Sequence, residues 1–303
     1  MSVSLEQVLS LGRQSKWEDI RLLATSCDWP ETRENFAVFF GMVLYYKRMD
    51  PTGSDYRDAL DWVERARRCD PSDPDREMLQ LTEAALRGQA GDSVEAIRIL
   101  SSDPIASSER YRWHVHQNLA VNYRQIQDWP RALFHFDQAM ADAEHSPQRR
   151  WQTLLDRAMT YLQAGRSDEA FATWAEGAPP EPYVGMYHLL GAELFTALND
   201  HSEAVRHGVA ALVHFRSARS SSTGMALEEY KTRAHLALAN ALYALGQIDQ
   251  ALFHCRSVAS GEAARLLPSL AFEANRLATT IARRKEDSHA QGYEVRAARV
   301  DVH

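Results

Sequence analysis

The chain has 303 residues, of which 45% are hydrophobic and 25% charged, and a formal net charge of −7. This composition is typical of a globular protein in water. Acidic residues outnumber basic ones on both sides of residue 150, which argues against a broad surface for the phosphates of a nucleic acid.

The apolar segments and the cysteines carry no sign of export or membrane insertion. The first ten residues contain no basic region followed by an apolar run, and the longest uninterrupted apolar run, Phe36 to Tyr46, has only 11 residues. Cys27, Cys69 and Cys255 are odd in number and far apart, which is typical of a reducing compartment. We therefore expect a cytoplasmic protein that does not interact with a membrane.

Helical patterns run through the whole chain, and no segment alternates apolar and polar residues for long enough to predict a strand. Residues 1–32 contain two short helical patterns, which we interpret as a degenerate N-terminal hairpin or cap. Longer patterns follow in pairs. Gly91, Gly165 and Gly246 stand where one helix must end and the chain reverse, and glycine tolerates the positive φ that such a turn requires.

The pairs repeat at a nearly constant interval. Aligned on the small residue that opens the second helix of each pair, the chain has markers at Ala59, Ala96, Ala132, Ala170, Ala204 and Ala251, separated by 37, 36, 38, 34 and 47 residues. In the clearest pair, Asn118 to Ala139, small residues stand at Ala120 and Ala132 and aromatic residues at Tyr123 and Phe136. Small residues at these places let two helix backbones approach closely.

With His116, Leu119, Ala120 and Tyr123 followed by Ala132 and Phe136, this pair resembles the tetratricopeptide repeat, which has a period of about 34 residues. The resemblance implies an all-α fold, a right-handed α-solenoid of antiparallel helix hairpins. We assign six helix pairs to residues 33–260 and a capping helix to 261–285. We expect residues 286–303 to be a flexible tail or a segment that orders only on a partner. The longest interval contains a polar segment, 217–224, which is either a loop or part of two lengthened helices.

In tetratricopeptide proteins the first helices of successive pairs line a concave groove that holds a peptide or helix of a partner. The resemblance places nineteen candidates for contact with a peptide on these first helices: Met42, Tyr45, Tyr46, His114, Gln117, Val121, Arg124, Gln125, Gln152, Leu155, Met159, Gln163, Met186, Leu189, Glu193, Arg233, Leu236, Asn240 and Tyr243. Their mixture of apolar and amide side chains favours a hydrophobic segment whose backbone is hydrogen-bonded by the amides. Interhelical packing is the alternative role for each of them.

Other site types find little support. Some tetratricopeptide proteins hold an acidic C-terminal tail with a clamp of lysine, asparagine and arginine. Here Asn118 occupies only the middle place of that clamp, and Leu81, Ala85, Gln152 and Asp156 occupy the other four.

The histidines do not predict a metal site. His114 and His116 would point about 200° apart on a helix, so they cannot share a metal there. His207, His214 and His254 stand isolated on their helices and are read as solvated or core residues. No nucleotide, hydrolase or metalloprotease motif occurs. We therefore expect no metal, no cofactor and no enzyme activity.

Three functions fit these patterns. The first is a scaffold or adaptor that captures a protein or peptide segment in the groove. The second is a regulatory sensor that responds to a signalling peptide or binds a separate transcription regulator. The third is a structural unit that assembles with itself, for example as a homodimer, through its end caps or through residues 217–224.

Overall fold

A computed structural model describes residues 3–49, 53–177, 179–181, 183–217, 224–259 and 267–300. Fifteen α-helices and two short 3-10 turns, Arg33–Asn35 and Ile105–Ser107, occupy these residues, and no strand occurs among them. The prediction of an all-α helical repeat fold is therefore confirmed. The chain divides into two units, Met1–Thr160 and Tyr161–His303.

The first unit is a series of helix hairpins. Its helices are α1 (Leu5–Arg13), α2 (Trp17–Thr25), α3 (Phe36–Met49), α4 (Gly53–Arg68), α5 (Asp73–Gln89), α6 (Ser93–Leu100), α7 (Arg112–Gln125), α8 (Trp129–Asp142) and most of α9 (Pro147–Gln163). Each odd-numbered helix up to α7 packs on the helix that follows it, and the first helices of successive hairpins also touch, α3 with α5 and α5 with α7. This neighbour-on-neighbour packing is the defining property of a helical repeat.

The second unit repeats the arrangement. It contains the end of α9, then α10 (Ser167–Trp174), α11 (Val184–Ala197), α12 (His201–Ser217), α13 (Gly224–Ala244), α14 (Ile248–Ala259) and α15 (Pro268–Val300). Helices α11 and α12 form one hairpin and α13 and α14 the next. Helix α13 also packs on α11 and on α15, so the first helices are again neighbours.

The small residues that marked the repeat in the sequence lie at the tightest points of this packing. All six marker alanines, Ala59, Ala96, Ala132, Ala170, Ala204 and Ala251, have no solvent-exposed surface. The small residues twelve places earlier, such as Ala84, Ala120 and Ala192, are equally buried. A larger side chain at any of these places would have to separate two helices, and this steric requirement explains the regular spacing.

The turns inside the hairpins share one backbone geometry. Gly91, Gly165 and Gly246 have φ values of 85°, 73° and 75°, as predicted, and Gln127 and Asn199 take the same left-handed conformation at 60° and 61°. In each turn the amide of the following residue donates to a carbonyl five residues earlier, for example Asp128 N to Tyr123 O at 2.9 Å. This bond satisfies a carbonyl that the end of the helix would leave unpaired.

Helices α4 and α13 each begin directly after a stretch that the structure does not describe. Helix α4 begins at Gly53, and residues 50–52 before it lie outside the described residues. Helices α12 and α13, which border the long interval between the last two markers, have 17 and 21 residues, and residues 218–223 between them lie outside the described part.

The last helix departs from its predicted bounds. Helix α15 starts at Pro268, because 260–266 are not described, and continues to Val300, past residue 285 where the predicted capping helix ends. Once a helix has formed, each further residue adds one backbone hydrogen bond, so the helix can continue beyond the end of its apolar stripe. The flexibility of the segment 286–303 stays a prediction. Residues 301–303 of this segment lie outside the described residues.

Candidate functional site

The structure divides the nineteen predicted groove residues into buried and accessible ones. Six of them are at most 7% exposed, so most of each side chain lies inside the protein: Met42, Gln117, Leu155, Met159, Leu189 and Leu236. The others keep part of their side chains accessible. Since the two units are separate bodies, the residues of each unit form separate candidate surfaces.

In the first unit, Gln117 and Arg124 are tied to α9 by a hydrogen-bond network. The indole Nε1 of Trp113 donates to Thr153 Oγ1 at 3.1 Å, and that hydroxyl donates to Gln117 Oε1 at 3.0 Å. The Gln117 amide donates to Asp156 Oδ2 at 2.7 Å, and Arg124 Nη1 donates to Asp156 Oδ1 at 3.1 Å. These two predicted contact residues therefore hold α7 against α9, and their polar groups serve that packing.

The remaining candidates of the first unit do not converge on one described pocket. Tyr45 and Tyr46 pack edge to face, with ring centroids 5.5 Å apart. His114 is half-buried, and burial, with smaller contributions from Arg149 and Lys47, lowers its pKa to about 4. Gln125 accepts a hydrogen bond from Ser93, while Val121 is half-buried and Gln152 is exposed.

In the second unit, four predicted residues do converge. Glu193 from α11 and Arg233, Leu236 and Asn240 from α13 line a pocket of about 280 Å³. The rest of its wall is Thr196 from α11, Ala237 from α13 and Leu270 and Glu273 from α15. We call this the Leu236 pocket. The contribution of α15 was not predicted from the sequence, because a helix assigned to capping gave no reason to expect a binding role.

The polar centre of the Leu236 pocket is an ion pair between neighbouring first helices. Arg233 Nε donates to Glu193 Oε1 at 3.0 Å and Arg233 Nη2 to Glu193 Oε2 at 2.8 Å, a two-point contact in which both side chains are 21% exposed. Burial raises the pKa of Glu193, the Arg233 guanidinium offsets part of this, and the carboxylate of Glu229 adds to it. The pair fixes the register of α11 against α13, because a two-point contact has one favoured geometry.

The other candidates of the second unit lie around the packing of α11 and α13. Leu189 is fully buried in a hydrophobic cluster of the second unit, and Met186 is partly buried and packs against this cluster. Tyr243 is half-buried, with the guanidinium of Arg284 lying 5.3 Å from its ring centroid. Gln163 is exposed at the end of α9.

The structure corrects the interpretation of the histidines as isolated residues. Within three hairpins the first and second helices each contribute one histidine, and the two Nδ1 atoms approach to hydrogen-bonding distance. The pairs are His116 with His135 at 3.1 Å, His188 with His207 at 2.9 Å, and His235 with His254 at 2.8 Å. His214 is not isolated either, since its ring stacks on His188 with centroids 5.7 Å apart.

A signal for these pairs is present in the sequence. In each pair the histidines are 19 residues apart, and they stand sixteen places before and three places after the marker alanine of their repeat. When the repeats are aligned on their marker alanines, the histidines of all three pairs therefore fall at the same two repeat positions. Spacing along a single helix does not reveal these pairs, because the two histidines lie on different helices of a hairpin.

Among the residues that the structure describes, no group of three or more histidine, cysteine, aspartate or glutamate side chains could hold a metal ion. Within the same part of the chain, no helix combines the length and the apolar character needed to cross a membrane.

Comparison with known proteins adds a structural similarity. No family model matches the chain, and no curated protein does. Among solved structures, a tetratricopeptide repeat protein from Parabacteroides merdae is similar over 78% of this chain and 98% of its own, with a TM-score of 0.45 and 12% sequence identity.

Proposed function

We propose that this chain is a binding protein that holds a peptide segment of a partner protein, with the Leu236 pocket as a principal point of contact. One observation carries the proposal. Glu193, Arg233, Leu236 and Asn240 were selected from the sequence as residues that would face a partner, and they line a single pocket. The resemblance of the repeats to tetratricopeptide repeats supports the same role.

The lining of the pocket suits a peptide side chain. Leu236, Ala237 and Leu270 provide apolar surface, whereas Glu193, Asn240 and Thr196 provide polar groups at the wall. Apolar area contributes affinity, and a few polar groups select the orientation of what is bound. A volume of about 280 Å³ lies just below the usual range for small-molecule sites, which favours one inserted side chain over a whole ligand.

A selection experiment tests the proposal. The full chain is used to select from a phage-displayed library of random dodecapeptides, and the affinity of selected synthetic peptides is measured by calorimetry. At a hundredfold excess over Kd, a bound peptide should raise the free energy of unfolding by about 2.7 kcal/mol. The Asn240→Trp variant fills the pocket with an indole and should weaken binding by at least about tenfold.

The matched control is Asn275→Trp, which makes the same change on the exposed surface of α15. Residue 275 is two places after Glu273 and so points about 200° away from it. This control should bind the selected peptides like the parent. Failure to enrich any peptide over an unrelated protein would refute the proposal, as would a peptide that binds Asn240→Trp and the parent equally well.

A further inference from the structure

We propose that the Leu236 pocket takes a cationic side chain, the ammonium group of a lysine or the guanidinium group of an arginine, from the bound segment. This inference rests on the proposed function and adds the chemical class of the group that the pocket recognises. It is carried by the charges and the hydrogen-bonding groups of the wall.

The charges around the pocket are predominantly negative. Glu193 and Glu273 belong to its wall, and Glu229, one helical turn before Arg233, acts electrostatically on both members of the ion pair. Arg233 is the one cation in the wall, and both oxygens of Glu193 already receive hydrogen bonds from it. Glu273 makes no ion pair with any residue that the structure describes. An incoming cation therefore meets an excess of carboxylate charge.

The hydrogen-bonding groups favour the same ligand. Each donor group of the wall makes at least one hydrogen bond within the protein: Arg233 donates to Glu193, the Thr196 hydroxyl to Ala192 O at 2.7 Å, and the Asn240 amide to Leu236 O at 3.1 Å. Acceptor capacity remains on the two carboxylates, the Thr196 hydroxyl oxygen and the Asn240 side-chain oxygen. Ammonium and guanidinium groups are donors only, so they can bond to all of these acceptors, whereas a carboxylate, which only accepts, can bond to none of them.

The shape of the pocket also fits a long cationic side chain. Leu236, Ala237 and Leu270 line it beside the polar groups. Lysine and arginine bury an aliphatic stem along apolar surface while the charged end reaches polar groups or water. The apolar part of the wall can therefore contact the aliphatic stem, and the acceptors of the wall can bond to the charged end.

The first test uses small probes and does not depend on a peptide. The full chain, labelled at the leucine methyl groups, is titrated with n-butylammonium chloride and, separately, with sodium butyrate, while methyl NMR shifts are recorded. We expect n-butylammonium to produce saturable shifts at Leu236 and Leu270, and butyrate to bind more weakly. Equal or tighter binding of butyrate would overturn the inference, as would unchanged shifts of these two leucines.

Charge-removing variants locate the effect. Glu273 is exposed, so Glu273→Gln should weaken n-butylammonium binding by about two- to fivefold, within the range for solvent-exposed ion pairs. Glu203→Gln removes the same charge from α12, outside the wall of the pocket, and should leave the affinity unchanged. If both variants weaken binding equally, the attraction comes from the overall charge of the protein and the inference fails.

The second test separates this inference from the proposed function. Selected peptides should share a lysine or arginine at one position, and replacing it with the uncharged norleucine should weaken binding by about tenfold. Peptides that bind in the pocket without a shared basic residue would refute the cationic subsite and leave peptide binding intact. If no peptide is enriched, the proposed function fails, and the butylammonium titration still decides whether the pocket prefers cations.

Discussion

The Nδ1 atoms of His188 on α11 and His207 on α12 lie 2.9 Å apart, so one imidazole donates its Nδ1 hydrogen to the other. The contact requires that at least one of the two rings is neutral, since two imidazolium rings would both place a hydrogen in the gap. Gly191 makes room for it, because a Cβ at that position would lie 2.7 Å from His207 Nδ1. The same contact recurs in two other hairpins.

The first prediction is that acid destabilises the second unit through this pair. Burial, with repulsion from Arg206 and His188, lowers the pKa of His207 to about 4, and burial also lowers the pKa of His188, with His214 and Arg206 contributing. Glu203 opposes the shift at His207 only in part. In the unfolded chain a histidine has a pKa of about 6.5, so between these values the unfolded state binds more protons and stability falls as the pH falls.

The expected loss from His207 alone is about 2 kcal/mol between pH 7 and pH 5, measured as the free energy of unfolding in urea. The double variant His188→Gln with His207→Ile copies Gln80 and Ile99, which occupy the same two repeat places in another hairpin. It should flatten the pH dependence by at least this amount. The exposed His145→Gln variant is the control. An unchanged profile in the double variant would contradict the prediction.

The second prediction concerns the marker alanines. Ala132 has no exposed surface, so Ala132→Trp should destabilise the first unit by about 1 to 3 kcal/mol or more, because the packed helices leave no space for the ring. Gln138→Trp introduces the same ring on the exposed side of α8 and should change stability by less than about 0.5 kcal/mol. Urea unfolding of the two variants makes the comparison. Equal stability of Ala132→Trp and the parent would count against the packing described for α7 and α8.

The third prediction uses two turns with the same geometry and different residues. Gln127 has a φ of 60° and Gly165 a φ of 73°. A residue with a Cβ is strained in this region and glycine is not, so Gln127→Gly should stabilise the chain by about 0.5 to 1 kcal/mol, after allowance for the greater freedom of glycine when unfolded. Gly165→Gln should destabilise it by about 1 kcal/mol. Thermal unfolding measures the stability change of each variant. If both variants stabilise the chain, or both destabilise it, the two turns are not equivalent.

The fourth prediction concerns the network between α7 and α9. Asp156→Ala removes the side-chain acceptor of Gln117 and Arg124, while Arg124 keeps its hydrogen bond to the backbone carbonyl of residue 156. The variant should destabilise the first unit by about 1 to 3 kcal/mol because the buried Gln117 amide is left unpaired. Asp137→Ala breaks a more exposed ion pair with Arg157 and should cost less than about 1 kcal/mol. A double-mutant cycle of Asp156→Ala with Arg124→Met measures the coupling, and a value near zero would contradict the network.

The spacing of small residues was sufficient to predict the fold class. Ala59, Ala132 and Ala251 are buried because two helices cross there, and that requirement recurs with each hairpin, so it appears in the sequence as a period. The glycine turns could be predicted for the same reason, since a left-handed residue is a local need. The extension of α15 beyond residue 285 was missed because its apolar stripe ends before the helix does.

The roles of individual polar residues were less predictable. Gln117 and Asn240 were assigned to the same surface on equal grounds, yet Gln117 is buried in a network with α9 and Asn240 lines a pocket. One place along a helix turns a side chain by about 100°, so small differences in the rotation of a helix decide what each side chain meets.

The sequence by itself determined that this chain is built of helix pairs, where those pairs touch and where they turn, because each of these depends on residues close together in the chain. Only the tertiary structure decided that His188 meets His207 and that Glu193, Arg233 and Glu273 share one pocket. Those meetings join residues on different helices, and they are set by how whole helices pack and rotate against one another.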